Sequence, residues 1–160
     1  MYLRAFIAFL ALPGVVAGII PALIVHAEGD HLSGWTFGFV LLGLGFVLLL
    51  WCIRDFFVAG RGTLAPWDPP KHLVIVGLYR IVRNPMYIAV VTMVFGWSMI
   101  AGSRLLGLYG VLLAVGFHLR VVISEEPWLH RQFGAEWSEY SAFVARWLPR
   151  LSHWRYDKRT

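Results

Sequence analysis

The residues of this chain best suited to chemistry are two arginines and two tyrosines in one stretch, and two adjacent glutamates in another. Gly77-Leu78-Tyr79-Arg80-Ile81-Val82-Arg83-Asn84-Pro85-Met86-Tyr87 stands directly before an apolar run, and Glu125-Glu126 follows a second apolar run. Polar and charged groups so close to lipid are costly, so a cluster of them bracketing two hydrophobic segments marks a functional site. If those segments pair as a hairpin, both polar stretches lie at the same face of the membrane and can form one site.

The elements that must position them are membrane spans. Of 160 residues, 59% are hydrophobic and 14% charged, with a mean hydropathy of +0.67. A soluble domain carries nearer a quarter charged residues. The net charge of +5 is scattered between apolar runs rather than gathered on one face, which fits a cytoplasmic membrane surface and not nucleic acid. Cys52 is the sole cysteine, so an intrachain disulfide and a cysteine-based metal site are excluded. The spacing of His72, His118 and His130 gives no metal motif.

Apolar length predicts an all-α, single-domain membrane bundle over 1–160, with spans near 5–25, 34–53, 87–102 and 105–123, since about 20 apolar residues cross the hydrocarbon core as a helix. The first is too long for the apolar core of a signal peptide and is taken as retained. Its Pro13 and Pro21 require neighbours that satisfy the freed carbonyls. Gly14 with Gly18, and Gly34 with Gly38, have the spacing that lets helices approach closely, here within one chain. Residues 54–86 form a loop punctuated by Pro66-Trp67-Asp68-Pro69-Pro70, with Lys71 to Gly77 a brief extended run. Pro85 suits the first position of the third helix. Arg120 at the inner end of the fourth span can snorkel to the interface. Pro127 predicts that this span stops or bends at Glu126. In the segment 124–160, Trp137, Tyr140, Val144 and Trp147 recur at helical spacing and predict one face of an amphipathic helix against the membrane or the bundle.

This order of residues resembles the isoprenylcysteine carboxyl methyltransferase family, with its bacterial relatives among which phospholipid amine methyltransferases are grouped. The resemblance runs from about Gly62 to Pro149. It rests on Gly77-x-Tyr79-Arg80-x-x-Arg83-Asn84-Pro85-x-Tyr87 and on Glu125-Glu126-x-x-Leu129-x-x-x-Phe133-Gly134-x-x-Trp137-x-x-Tyr140-x-x-x-Val144-x-Arg146-x-x-Pro149. It implies a methyltransferase that takes S-adenosylmethionine at the cytoplasmic face and a lipophilic acceptor from the bilayer. Arg83 and Glu125 are then the expected catalytic residues. Tyr79, Arg83, Asn84, Pro85, Tyr87, Glu125, Glu126 and Trp137 are expected to hold the cofactor. The family's usual histidine is here Asn84, which hydrogen-bonds but does not titrate, so cofactor binding and not proton transfer is expected there. Arg80 and Arg83 also fit headgroup anchoring, and Tyr87 and Trp137 an interfacial aromatic belt. Two alternatives share parts of the pattern: an NADPH-dependent reductase of the sterol type, and a non-catalytic scaffold or transport accessory.

With both termini inside, Arg104 is the only Lys or Arg left outside, the bias expected of an inner-membrane protein; a bacterial inner membrane is the simplest setting. A reporter fused after Thr160 is therefore expected in the cytoplasm and one inserted near Asp30 outside. Activity of both reporters on one side overturns this topology.

Overall fold

The computed structural model describes residues 10–29, 34–59 and 72–149, which form helices and connecting turns with no strand. An N-terminal segment of wide π-type turns, Leu10–Ile19, runs into α1 (Ile20–Ala27). It is followed by α2 (Phe37–Ala59), a 3-10 turn (Gly77–Arg80), α3 (Pro85–Ala101), α4 (Arg104–Arg120), a π turn (Val121–Glu125) and α5 (Glu126–Phe143). Residues 1–9, most of the predicted loop around 60–71, and the tail beyond 149 lie outside the described residues.

Two helices are long and apolar enough to cross a membrane, Phe37–Phe56 and the helix that begins at Arg104; the apolar helices Pro13–Ala27 and Pro85–Ala101 are shorter. At about 1.5 Å per residue, the 23 residues of α2 span roughly 35 Å and the 17 of α3 roughly 25 Å. Large side chains of α2 and α4, among them Phe39, Val47, Leu108 and Leu112, point outward, as expected where lipid is the solvent. This is a helical membrane bundle.

α2 and α3 pack closely against each other, and glycine permits it. A Cβ placed on Gly38 would lie 2.7 Å from the carbonyl oxygen of Gly96, and one on Gly96 2.7 Å from the backbone nitrogen of Leu42. Gly34 is closer still to the Met99 carbonyl, so the predicted pair Gly34 and Gly38 does bring two helices together. Gly18 differs, since a Cβ there would touch nothing within 4 Å. The α3–α4 hairpin turns at Gly102-Ser103, where the Ser103 hydroxyl accepts from Leu106 N at 3.1 Å and so caps α4.

The proline expectation for the first helix is met in a specific way. Pro21 has no N–H to offer the carbonyl of Ala17 in the α pattern, or that of Val16 in the wider π pattern. The Trp97 indole donates to Ala17 O at 3.1 Å and the Tyr109 hydroxyl to Val16 O at 3.0 Å. Each arm of the hairpin thus satisfies one of the two carbonyls.

Three expectations need correction. Helix α2 runs past Ile53 to Ala59, because Asp55 is not a terminating solvated charge but is 4% exposed, tucked against Gly77. The chain does not break at Glu126, which keeps helical geometry (φ −63°, ψ −42°). Pro127 falls in the first turn of α5, where its missing N–H is tolerated, and the π turn before it takes up the misfit. The amphipathic helix ends at Phe143, with Val144 extended (φ −97°, ψ 123°). Trp137, Tyr140 and Val144 are buried together as predicted, but Trp147 belongs to the strap that follows. Gly134, at φ 49°, supplies a left-handed break inside α5.

Replacing Gly96 by Ala is expected to destabilise the protein by about 1–3 kcal/mol through overpacking. Gly43→Ala, where a Cβ meets nothing within 4 Å, should be neutral or stabilising by up to ~1 kcal/mol. Thermal unfolding in detergent checks the pair, and equal effects refute the close-packing argument.

Candidate active site

The site lies where the turn before α3, the end of α4 and the strap after α5 meet. Gly77 opens it. With φ +52° it takes a conformation that side chains disfavour, and a Cβ there would sit 2.0 Å from Asp55 Oδ2 and 2.9 Å from Trp51 Nε1. The turn therefore seats directly on α2. Tyr79 follows, buried, its ring edge-on to Phe56 at 5.2 Å and clustered with Cys52 and Val74. Burial pushes its phenol well above the ordinary tyrosine range. Its ring thus faces α2, and its carbonyl, which accepts from the Tyr140 hydroxyl at 2.6 Å, joins it to α5.

Turn and strap are stitched by the backbone as well. Arg83 N donates to Ala145 O at 2.9 Å beside a parallel bridge between Val82 and Ala145, and the Asn84 side-chain amide donates to Arg146 O at 3.2 Å. Pro85 is buried at the first position of α3, as its fixed φ predicts. The Arg83 guanidinium lies 5.4 Å over the Trp137 ring and donates to Ser141 O at 3.3 Å.

The two glutamates divide the remaining charges. Glu126 takes a bidentate fork from Arg146, at 2.8 and 2.7 Å, and an ion pair from Arg83 at 3.2 Å. Glu125 accepts at Oε1 from Arg120 Nε at 2.7 Å and from the Tyr87 hydroxyl. Arg120 and Glu125 are five residues apart. In a regular α-helix that spacing turns side chains away from each other, whereas the i to i+5 repeat of the π turn aligns them. Glu126 is held below the ordinary carboxylate range. Burial raises it, but the hydrogen bonds and charge of Arg146 and the charge of Arg83 more than offset that.

Beside this cluster an apolar cavity of about 320 Å³ opens between α3 and α4, lined by Tyr87, Ile88, Val91, Thr92, Ala114, Phe117, His118 and Trp147. Of the residues named from the sequence, Arg83, Asn84, Glu126 and Trp137 come together at the clasp, Tyr87 and Glu125 at the cavity mouth, and Tyr79 and Pro85 behind them. Arg120, Arg146, His118 and Trp147 were not named as site residues. Arg146 carried a signal in its place within the motif, whereas the role of Arg120 depends on a π turn that no residue type announces. Among the described residues no group of three His, Cys, Asp or Glu could hold a metal ion.

A carboxylate whose folded pKa is depressed contributes stability that is present above its unfolded value and lost as pH falls through the folded one. Glu126→Gln should therefore lower the unfolding temperature at pH 7, and the gap between parent and variant should narrow below about pH 4.3, where free glutamate protonates. Thermal unfolding from pH 7 to 3.5 checks this, and a constant gap refutes it.

Neither the curated proteins nor the solved structures gave a match. The profile of one family, described as phospholipid methyltransferase, matches residues 34–136, which hold α2, the turn, the hairpin and both glutamates. With that match spanning well over half of its length, the chain belongs to the phospholipid methyltransferase family, a family of membrane methyltransferases.

Proposed function

We propose that this protein transfers a methyl group from S-adenosylmethionine to a lipophilic acceptor that arrives from the bilayer at the cytoplasmic face. The observation that carries this reading is the unequal use of the two glutamates. Glu126 has both oxygens engaged by arginines, so it holds the site together. Glu125 receives its hydrogen bonds on Oε1, and among the described residues its Oε2 has no partner. That leaves a carboxylate oxygen without a partner on a side chain 29% exposed, bonded through its other oxygen to Tyr87, which lines the apolar cavity.

These residues fit the proposed cofactor. Glu125 can accept from an amino group or ribose hydroxyls, and the guanidinium groups of Arg83 and Arg120 suit a carboxylate. When bound, S-adenosylmethionine supplies an electrophilic methyl group whose carbon–sulfur electron pair leaves with the thioether. No covalent enzyme intermediate is needed, so positioning and fixed charge carry the catalysis. Tyr87, donating to Glu125, orients it. Trp137 supports Arg83 from beneath, while Tyr79, Asn84 and Pro85 hold the turn in register and act behind the site.

The acceptor is a prenylcysteine-like carboxylate or a phospholipid amine. Lifting its tail out of the bilayer costs about 0.8 kcal/mol per CH₂, and a cavity opening sideways between α3 and α4 avoids that cost. Glu125→Gln is expected to weaken S-adenosylhomocysteine binding by roughly 1.5–3 kcal/mol, the range for a hydrogen bond to a charged group, while lowering thermal stability less than Glu126→Gln does, since it loses one arginine partner and not two. Glu126→Gln should lower both. Calorimetric titration of the purified protein tests this, and unchanged affinity in the Glu125 variant refutes the assignment. Screening acceptors with labelled methyl donor tests the lipophilic class, and equal turnover of a tail-less soluble acceptor overturns it.

A further inference from the structure

The cavity between α3 and α4 has a mouth, side walls and an end. At the mouth stand Tyr87, His118 and Trp147, beside the charged cluster. One helical turn further toward the Gly102-Ser103 hairpin, the walls are Val91 and Thr92 of α3 and Ala114 of α4. Another turn along the same two faces, three or four residues on, brings Phe95 of α3 and Gly110 of α4. There the seam is shut. A Cβ placed on the buried Gly110 would lie 3.3 Å from two atoms of the Phe95 ring and 3.3 Å from Val94 Cγ1. The Phe95 ring therefore covers the bare backbone of Gly110, and the lining of the cavity stops one turn short of that contact.

The donors along these walls are committed elsewhere. The Thr92 hydroxyl donates to Ile88 O at 2.8 Å, the Tyr87 hydroxyl to Glu125, and the Trp147 indole to His118 Nδ1 at 3.1 Å. What the interior offers is aliphatic and aromatic surface, which suits a hydrocarbon chain and penalises a polar one. Its volume then sets a length. About 320 Å³ is room for on the order of ten methylenes, taking each as roughly the 30 Å³ that a water occupies in the liquid.

We propose that Phe95, seated on Gly110, is the end stop of this cavity, and that Phe95 and Ala114 together set the length of acceptor chain that the protein selects. The inference rests on the reading of the cavity as the place of the acceptor's tail, and adds to it the residues that measure that tail. Removing the ring opens the seam over Gly110 and lengthens the space. Enlarging Ala114 fills it from the side and shortens it.

The test uses the full chain in maltoside micelles and two series of single-chain probes, S-alkyl-N-acetylcysteines and alkylphosphoethanolamines, from hexyl to hexadecyl. Micelles take up a given probe equally whichever variant is present, so each length profile is compared with that of the parent. Phe95→Ala should raise labelled-methyl turnover of dodecyl and longer probes relative to octyl by about fivefold, and Ala114→Leu should lower the same ratio by about fivefold, the size expected when one side chain must be accommodated or is removed. A merely damaged protein loses turnover at every length and moves neither ratio. Phe95→Leu, smaller than the ring and still apolar, stands in if Phe95→Ala does not fold. Unchanged ratios, or ratios that move the same way in both variants, overturn the proposal. If the parent methylates neither series, the methyltransferase reading fails, and thermal shift then judges the stop by itself. The stabilisation each probe gives on binding must depend on length in those same opposite directions, and the stop is rejected if it does not.

Discussion

Glu126 is gripped by two arginines, one from the turn before α3 and one from the strap after α5, and the architecture at this end of the bundle runs through that grip. A carboxylate at the end of a membrane helix is expensive to bury unless it is paired and hydrogen-bonded. Here the pairing also has a geometric result. It draws Arg146 back over the bundle, which ends α5 at Phe143 and turns the next residues into a strap. The strap then supplies Ala145 O to Arg83, Arg146 O to Asn84, and Trp147 to the cavity mouth.

The π turn has the complementary role. Adjacent residues on a regular helix point about 100° apart, so Glu125 and Glu126 would diverge in any case. The wider turn rotates Glu125 into line with Arg120, where Tyr87 of α3 also reaches it. Two neighbours in sequence thereby have different partners, Glu126 holding Arg83 and Arg146 and Glu125 taking Arg120 and Tyr87. π turns interrupting α-helices are frequent at functional sites, and this one lies within the matched span of the family.

Much of the frame was legible in the sequence because it follows from local rules. Pro85 at a helix start and the apolar runs that become α3 and α4 each have a local physical cause. The meeting of Arg83 with Glu126 was also legible, since a hairpin returns both stretches to one face. What was not legible depended on side chains far apart in sequence. The Asp55 charge looked like a helix end because nothing local shows that Gly77 will cover it. Trp147 fitted the periodicity of α5, but the pull of Glu126 on Arg146 overrides that periodicity one residue earlier. Arg120 passed for an interfacial anchor because its partner depends on a change of helical repeat.

The carbonyls freed by Pro21 constrain the order in which the molecule can be completed. Val16 O and Ala17 O are satisfied by Tyr109 and Trp97, which emerge from the ribosome some eighty to ninety residues later. Until the hairpin is inserted, the N-terminal segment carries acceptors that hydrocarbon cannot hydrate, and an unsatisfied carbonyl there is costly. This segment, made before the hairpin, therefore completes its hydrogen bonds only once the hairpin is in place.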